Sequence, residues 1–402
     1  MPNPYREIFR APGAIGFSAA GFVARLPLSM VTIGIVTMLS QARGEYWLAG
    51  SLAATFALAN ALIAPQISRL VDRHGQSRVL IPATLATLVA LAGLMLATRF
   101  EAPSWVLFLF AALAGLEPSM AAMVRARWTE IYRGTRHLRT AFAFESVVDE
   151  MVFMIGPVLA IGLSVAWFPE AGPLAATILL AVGMTLFVCQ RATEPPVHPQ
   201  AASAEGSAIR LGAVRVVALV MVAVGAIFGT SEVTTVAFAE AQGDKAAASL
   251  VLAAYAAGSL IAGLIFGALH LRLSLARQFV LAIAFSAATT LPLLAIGSLW
   301  SLAAVLFVAG ASISPTVIVA MALVERHVPP SKLTEGITWV MTGVGVGLAL
   351  GSAASGWLID NYGAAAGFRV SVAGGFTALA ILLLGLRRLS GDASDRARPA
   401  LV

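Results

Sequence analysis

Glu145, Asp149 and Glu150 stand close together in one apolar stretch, LRTAFAFESVVDEMVFMIGPVLAIGL, from Leu138 to Leu163, ahead of Gly156 and Pro157. A stretch of this length is able to cross a bilayer as a helix. A carboxylate at bilayer depth is costly, so it is expected to face protein or water and to have a partner. Arg25, inside the first apolar run, is the expected partner. At about 1.5 Å per helical residue, Arg25, Glu117, Asp149 and Glu150 fall at similar depth, with Glu145 one turn away. Glu145 and Asp149 share a helix face, while Glu150 is turned by roughly 100°. With every group ionised, this set carries more negative than positive charge, and one carboxylate then has reason to take up a proton. That is the chemistry of a proton carrier, with Asp149 or Glu150 titrating and Arg25 as its gate. A static ion pair locking helices together is the equal alternative. Glu117 precedes Pro118, and a Pro within a span frees backbone carbonyls and bends the helix; a cavity wall and a plain kink both fit. Glu232, in GTSEVTTVAF, is the candidate for a cationic substrate or proton in the second half of the chain, the alternative being an outer-vestibule residue.

The elements that must position these residues follow from composition. The chain has 402 residues, of which 59% are hydrophobic and 11% charged, and its mean hydropathy is +0.88. Soluble domains carry roughly 25% charged residues, so an all-α integral membrane protein is expected. Cys189 is the single cysteine, which excludes a disulfide framework and a Cys-based metal site. The net charge of +6 does not indicate nucleic acid, because the basic residues fall in short connectors where they set topology. The five His are scattered over loops and span ends, and no Gly-x-x-x-x-Gly-Lys-Ser/Thr phosphate loop occurs. No enzyme chemistry, cofactor or metal is expected, and ATP is not expected to drive this chain.

Apolar runs of about 20 residues predict twelve spans: 13–39, 47–67, 79–97, 104–124, 138–163, 173–189, 213–239, 246–269, 275–297, 299–324, 333–358 and 367–386. They divide into a six-helix half over 1–190, a polar, Pro-rich linker over 191–212 and a second six-helix half over 213–402. Of the 26 Lys and Arg, all but Arg25, Arg43, Arg99, Lys245 and Arg369 fall on the side that holds the N-terminus. Both termini and the linker are therefore expected to be cytoplasmic. The halves repeat: AGLEPSM in the fourth span corresponds to AGASISPTV in the tenth, each followed by charges at the same end. Two parallel repeats of six are the internal symmetry of one transporter class.

After the second span comes SRLVDRHGQSRVL. Asp72, Arg73, Gly75 and Arg78 resemble the signature loop of the major facilitator superfamily, roughly Gly-x-x-x-Asp-Arg-x-Gly-Arg-Arg. Ser68 stands where the first Gly is usual, and Gln76-Ser77 replaces part of the basic run. The resemblance implies that Asp72, Arg73 and Arg78 form a cytoplasmic latch between the halves, in the outward-facing state, with Gly75 permitting a tight turn. Gly156-Pro157 resembles an element of proton-coupled drug antiporters in the same superfamily, found where the fifth span meets the eighth. Val152 and Ala160-Ile161 replace its flanking glycines, and the antiporters' fourth-span Arg is missing near Ala111. Gly343, Gly347 and Gly351, and Gly263 and Gly267, have the spacing that allows close helix approach and are expected at the sliding boundary between halves. The resemblance implies a monomeric, twelve-helix, two-half transporter in a bacterial-type inner membrane. Its expected partners are a small-molecule substrate, protons as coupling ion and the lipid bilayer. Efflux of a small amphipathic compound leads; uptake or facilitation of a small organic anion, and a non-transporting sensor of the same fold, are the rivals.

Overall fold

The computed structural model describes residues 4–43, 46–197, 206–244, 247–269, 271 and 273–390. Residues 1–3, the middle of the connector at 198–205 and the segment 391–402 lie outside the described residues. Every regular element among the described residues is helical. Eleven helices among them are long and apolar enough to cross a membrane. The fourth expected span is the exception, because it is broken into Ser104–Ala114 and Met120–Tyr132. With that broken span the described residues hold twelve apolar segments in the expected order.

The break has a local cause. Pro118 has no N–H to continue the ladder and disfavours helical backbone at the residue before it, Glu117. The tenth span repeats the device, with helices Leu299–Gly310 and Ile313–His327 separated by Ala311 and Ser312. There Pro315 falls in the first turn of the second piece, where a missing N–H costs nothing. The expected end of the second span at residue 67 is corrected: that helix runs Tyr46–His74, and the next is Gln76–Arg99. The signature loop is thus one residue long. Gly75 makes the turn with φ of +92°, a conformation suited to glycine. The polar residues 68–74 conceal the helix from an apolar count but do not end it.

The chain forms two compact units. The first comprises Met1–Leu138, Val148–Glu205 and Pro330–Thr338; the second comprises Arg139–Val147, Gly206–Pro329 and Trp339–Val402. The core of the first unit gathers Met30, Ile35, Leu52, Phe56, Leu91 and Leu107. That of the second gathers Phe238, Tyr255, Leu302, Leu306 and Phe368.

Small residues bring the helices close within each unit. A side chain at Gly183 would meet the backbone of Ala24, so the first and sixth spans approach there. In the second unit Gly225 and Gly229 of the seventh span face the carbonyls of Val344 and Leu348, while Gly343, Gly347 and Gly351 face those of Ala218, Val222 and Ala226. The glycine stripe of the eleventh span, expected at the boundary between halves, packs on the seventh span inside its own unit. The fifth and eighth spans meet through their own residues: Thr140 Oγ1 donates to the Gly267 carbonyl at 3.1 Å, and Gly263 faces Ser314 and Val147.

Candidate functional site

Asp149, near the middle of the fifth span Arg136–Ala166, accepts from two arginines of the first unit. Arg25 Nη1 lies 2.7 Å from Oδ1, and Arg125 Nη2 lies 2.6 Å from Oδ2. Asp149 is 23% exposed, against 3% for Arg25 and 0% for Arg125. Arg25 also donates from Nε to the Gly21 carbonyl at 3.2 Å. Charge-assisted bonds of this length are about twice as strong as neutral ones. One turn on, Ser29 Oγ donates to the Val152 carbonyl at 2.9 Å, tying the first span to the fifth again. Gly156 makes that approach possible, since any side chain there would overlap Ser29 Oγ. Pro157 follows within the same helix, half-buried.

Glu117 has the opposite surroundings. It sits in the break of the fourth span, 2% exposed, and its carboxylate has no partner among the described residues; Oε2 is wholly enclosed. The break itself is satisfied. Asn60 Nδ2 donates to the Glu117 carbonyl at 2.8 Å and to the Gly115 carbonyl at 3.2 Å. The second span reaches this point because Gly115 has no side chain to displace Ala59 and Asn60. An ionised carboxylate buried without a partner costs several kcal/mol. A bound proton or a cationic ligand removes that cost.

The remaining charges are dispersed. Glu145 is fully buried in the second unit, Glu150 is half-buried in the first, and Glu232 is exposed in the second with no partner among the described residues. No cluster of His, Cys, Asp or Glu able to hold a metal occurs among the described residues.

At the Arg-rich end of the first unit, Asp72 caps the helix Leu333–Tyr362. Its Oδ1 accepts from the Thr334 amide at 3.1 Å and its Oδ2 from the Glu335 amide at 2.9 Å. Both are first-turn N–H groups with no partner inside their helix, and a carboxylate also complements the helix dipole. Each departure from the signature pattern makes a bond here. Ser68 Oγ lies 2.7 Å from Thr338 Oγ1. Gln76 donates to the Met123 carbonyl and accepts from Arg127 Nε, at 3.0 and 2.8 Å. Ser77 is held by Glu194 through its amide, at 2.8 Å, and through its hydroxyl. Arg73 is half-buried and Arg78 is exposed. The cavity beside Asp72, bounded by Glu130, Arg133, Pro196 and Leu333, holds only about 30 Å³. That is room for water, not for an organic substrate.

Depth along the spans puts Arg25 level with Glu117, Asp149 and Glu150 without choosing among them, and it misses Arg125, which counts with the topology-setting basic residues near the end of the fourth span. A signal exists: Arg125 and Arg127 lie among Met, Ala and Val in MAAMVRARW, not in a polar connector. Asn60 is missed too. It is the one amide side chain in the apolar run LAATFALANALIA, and such a residue needs a partner at depth.

The family model described as Major Facilitator Superfamily matches residues 17–243 and 217–400. No curated protein matches the sequence. Among solved structures, a bacterial homologue of the iron transporter ferroportin, in an outward-facing state, superposes with a TM-score of 0.74 at 14% identity, over 92% of this chain and 98% of that one. The human organic anion transporter MFSD10 (TETRAN) gives 0.68 at 16% identity, over 94% and 100%. A point variant of the E. coli fucose:proton symporter, FucP, gives 0.69 at 12% identity, over 94% and 99%. At these identities the likeness is one of fold.

Proposed function

The chain belongs to the major facilitator superfamily, and from that premise we propose that it is a proton-coupled secondary transporter that expels a small amphipathic or hydrophobic compound by alternating access. The observation that carries the reading is Glu117: a buried carboxylate with no partner among the described residues, in a helix break of the unit that holds the buried ion pair. Such a group is best satisfied by a proton on one side of the cycle and by a cationic substrate, or by water, on the other. Asp149 is the less suited carrier, because two guanidinium groups already hold it as a carboxylate. Its place is the gate, with Arg25 and Arg125 as the groups it releases when the helices move. The cap made by Asp72 is the latch of one working state, with Arg73 and Arg78 beside it. The Lys and Arg asymmetry supports cytoplasmic termini, and we take the membrane to be of the bacterial inner type and the working unit to be a monomer.

A second reading has its own observation. Two arginines converge on the single carboxylate of Asp149, so a small organic anion could replace Asp149 on Arg25, and the chain would then take up or facilitate that anion.

Proton release from the purified protein separates the two. Tetraphenylphosphonium, as the lipophilic cation, should release protons from wild type and none from Glu117→Gln. Binding of benzoate without proton release, lost in Arg25→Met, would replace efflux with the anion reading.

A further inference from the structure

The connector after the sixth span begins as a docked strap, not a tether. Arg127, 0% exposed, is its anchor. From Nη1 it donates to the Gln190 carbonyl and to Thr193 Oγ1, each at 2.8 Å, and its guanidinium stacks 3.8 Å from the Phe187 ring. Through Nε it also holds Gln76, the first residue after the Gly75 turn. The strap then lies over that turn. Glu194 accepts from the Ser77 amide and hydroxyl, and Glu194 and Val197 fill the space that a side chain at position 75 would take, 3.2 and 3.3 Å from it. Gly75 is the N-cap of the helix Gln76–Arg99 and offers no side-chain acceptor. Glu194 supplies the missing one. The single-residue joint at Gly75 is therefore flanked by two carboxylate caps: Asp72 on the start of the eleventh span, and Glu194 on the start of the third.

We infer that Glu194 is a positioning residue for the signature latch: the docked connector fixes the Gly75 turn, and through it sets how firmly Asp72 holds the Thr334 and Glu335 amides. Asp72 and Ser77 are joined through a rigid helix end, one glycine and another helix start. A turn free to rotate about Gly75 moves the Asp72 carboxylate relative to its two donors; a turn clamped by Glu194 and Arg127 does not. This role depends on the Asp72 cap and on neither the transported compound nor proton coupling. A failure of the efflux reading would leave it standing.

The test is hydrogen–deuterium exchange on the full-length protein in detergent, followed in peptides covering 76–80 and 330–338. Helix-start amides exchange fast unless a cap protects them. Glu194→Ala should speed exchange at Ser77 and also, about tenfold, at Thr334 and Glu335, which Glu194 does not touch. Glu194→Gln, which keeps one acceptor oxygen, should fall between. Asp72→Asn should speed the 330–338 peptide, and adding Glu194→Ala to it should speed that peptide no further. Ser77→Ala removes one of the two bonds and serves in the same way if Glu194→Ala does not fold. Faster exchange at Ser77 alone, or effects of Glu194→Ala and Asp72→Asn that multiply in the 330–338 peptide, would reduce Glu194 to a local cap and overturn the inference.

Discussion

Asp149 and Glu117 are both acidic side chains in the spans of one unit, yet their surroundings make opposite demands. Asp149 stands between Arg25 and Arg125. Removing one member of a buried pair leaves an uncompensated charge and costs about 3–5 kcal/mol. Asp149→Asn should therefore lower the thermal midpoint of the purified protein markedly. Glu117 has no partner among the described residues to lose. Glu117→Gln removes only the capacity to ionise, so its midpoint should equal or exceed that of wild type in the same scan. A fall for Glu117→Gln comparable to that for Asp149→Asn would mean that Glu117 is an ionised structural group. That Arg25 would meet a carboxylate of the fifth span was legible in the sequence, because an isolated Arg and isolated carboxylates in apolar runs have few ways to be satisfied; that Asp149, not Glu150 or Glu145, takes it was not. Nor was the isolation of Glu117. Having no partner is a property of what packs around a residue, and no spacing rule reports it.

At the scale of the helix, small residues decide which faces meet. A Cβ at Gly347 would run into the Val222 carbonyl, whereas one at Gly345 meets nothing within 4 Å. Gly347→Ala should lower the thermal midpoint by several degrees while Gly345→Ala leaves it unchanged; equal effects would mean that the seventh and eleventh spans are not in close contact. Asn60→Ala leaves the Gly115 and Glu117 carbonyls without their donor. A buried acceptor left unsatisfied costs about 1–3 kcal/mol, so this variant too should melt earlier. The order of the spans could be read from apolar length, and the Gly and Pro shared by the fourth and tenth from AGLEPSM and AGASISPTV; that both helices stop there could not, because a Pro in an apolar run fits a kink as well as a break. The face on which a glycine stripe packs could not, because the stripe of Gly343, Gly347 and Gly351 has the same spacing whichever helix it meets. The second helix ran to His74 unseen for a related reason: SRLVDRH is polar, and an apolar count ends where the bilayer would, not where the backbone does.

The named charged groups are divided between the two units. The buried ion pair, the partnerless Glu117 and the capped start of the eleventh span all belong to the first, whereas Glu145 and Glu232 belong to the second. In this arrangement Asp149 is satisfied by two arginines, while Glu117 is buried with no partner among the described residues. That lack is what couples a proton to transport in this account. The most direct measurement is proton-driven accumulation of a fluorescent lipophilic cation in reconstituted vesicles with an imposed gradient, acid inside. Wild type should accumulate the dye and lose it on adding a protonophore. Glu117→Gln, at equal protein incorporation, should equilibrate the dye down its own gradient but accumulate none. Accumulation by Glu117→Gln at the wild-type rate would contradict the account and move the coupling group elsewhere.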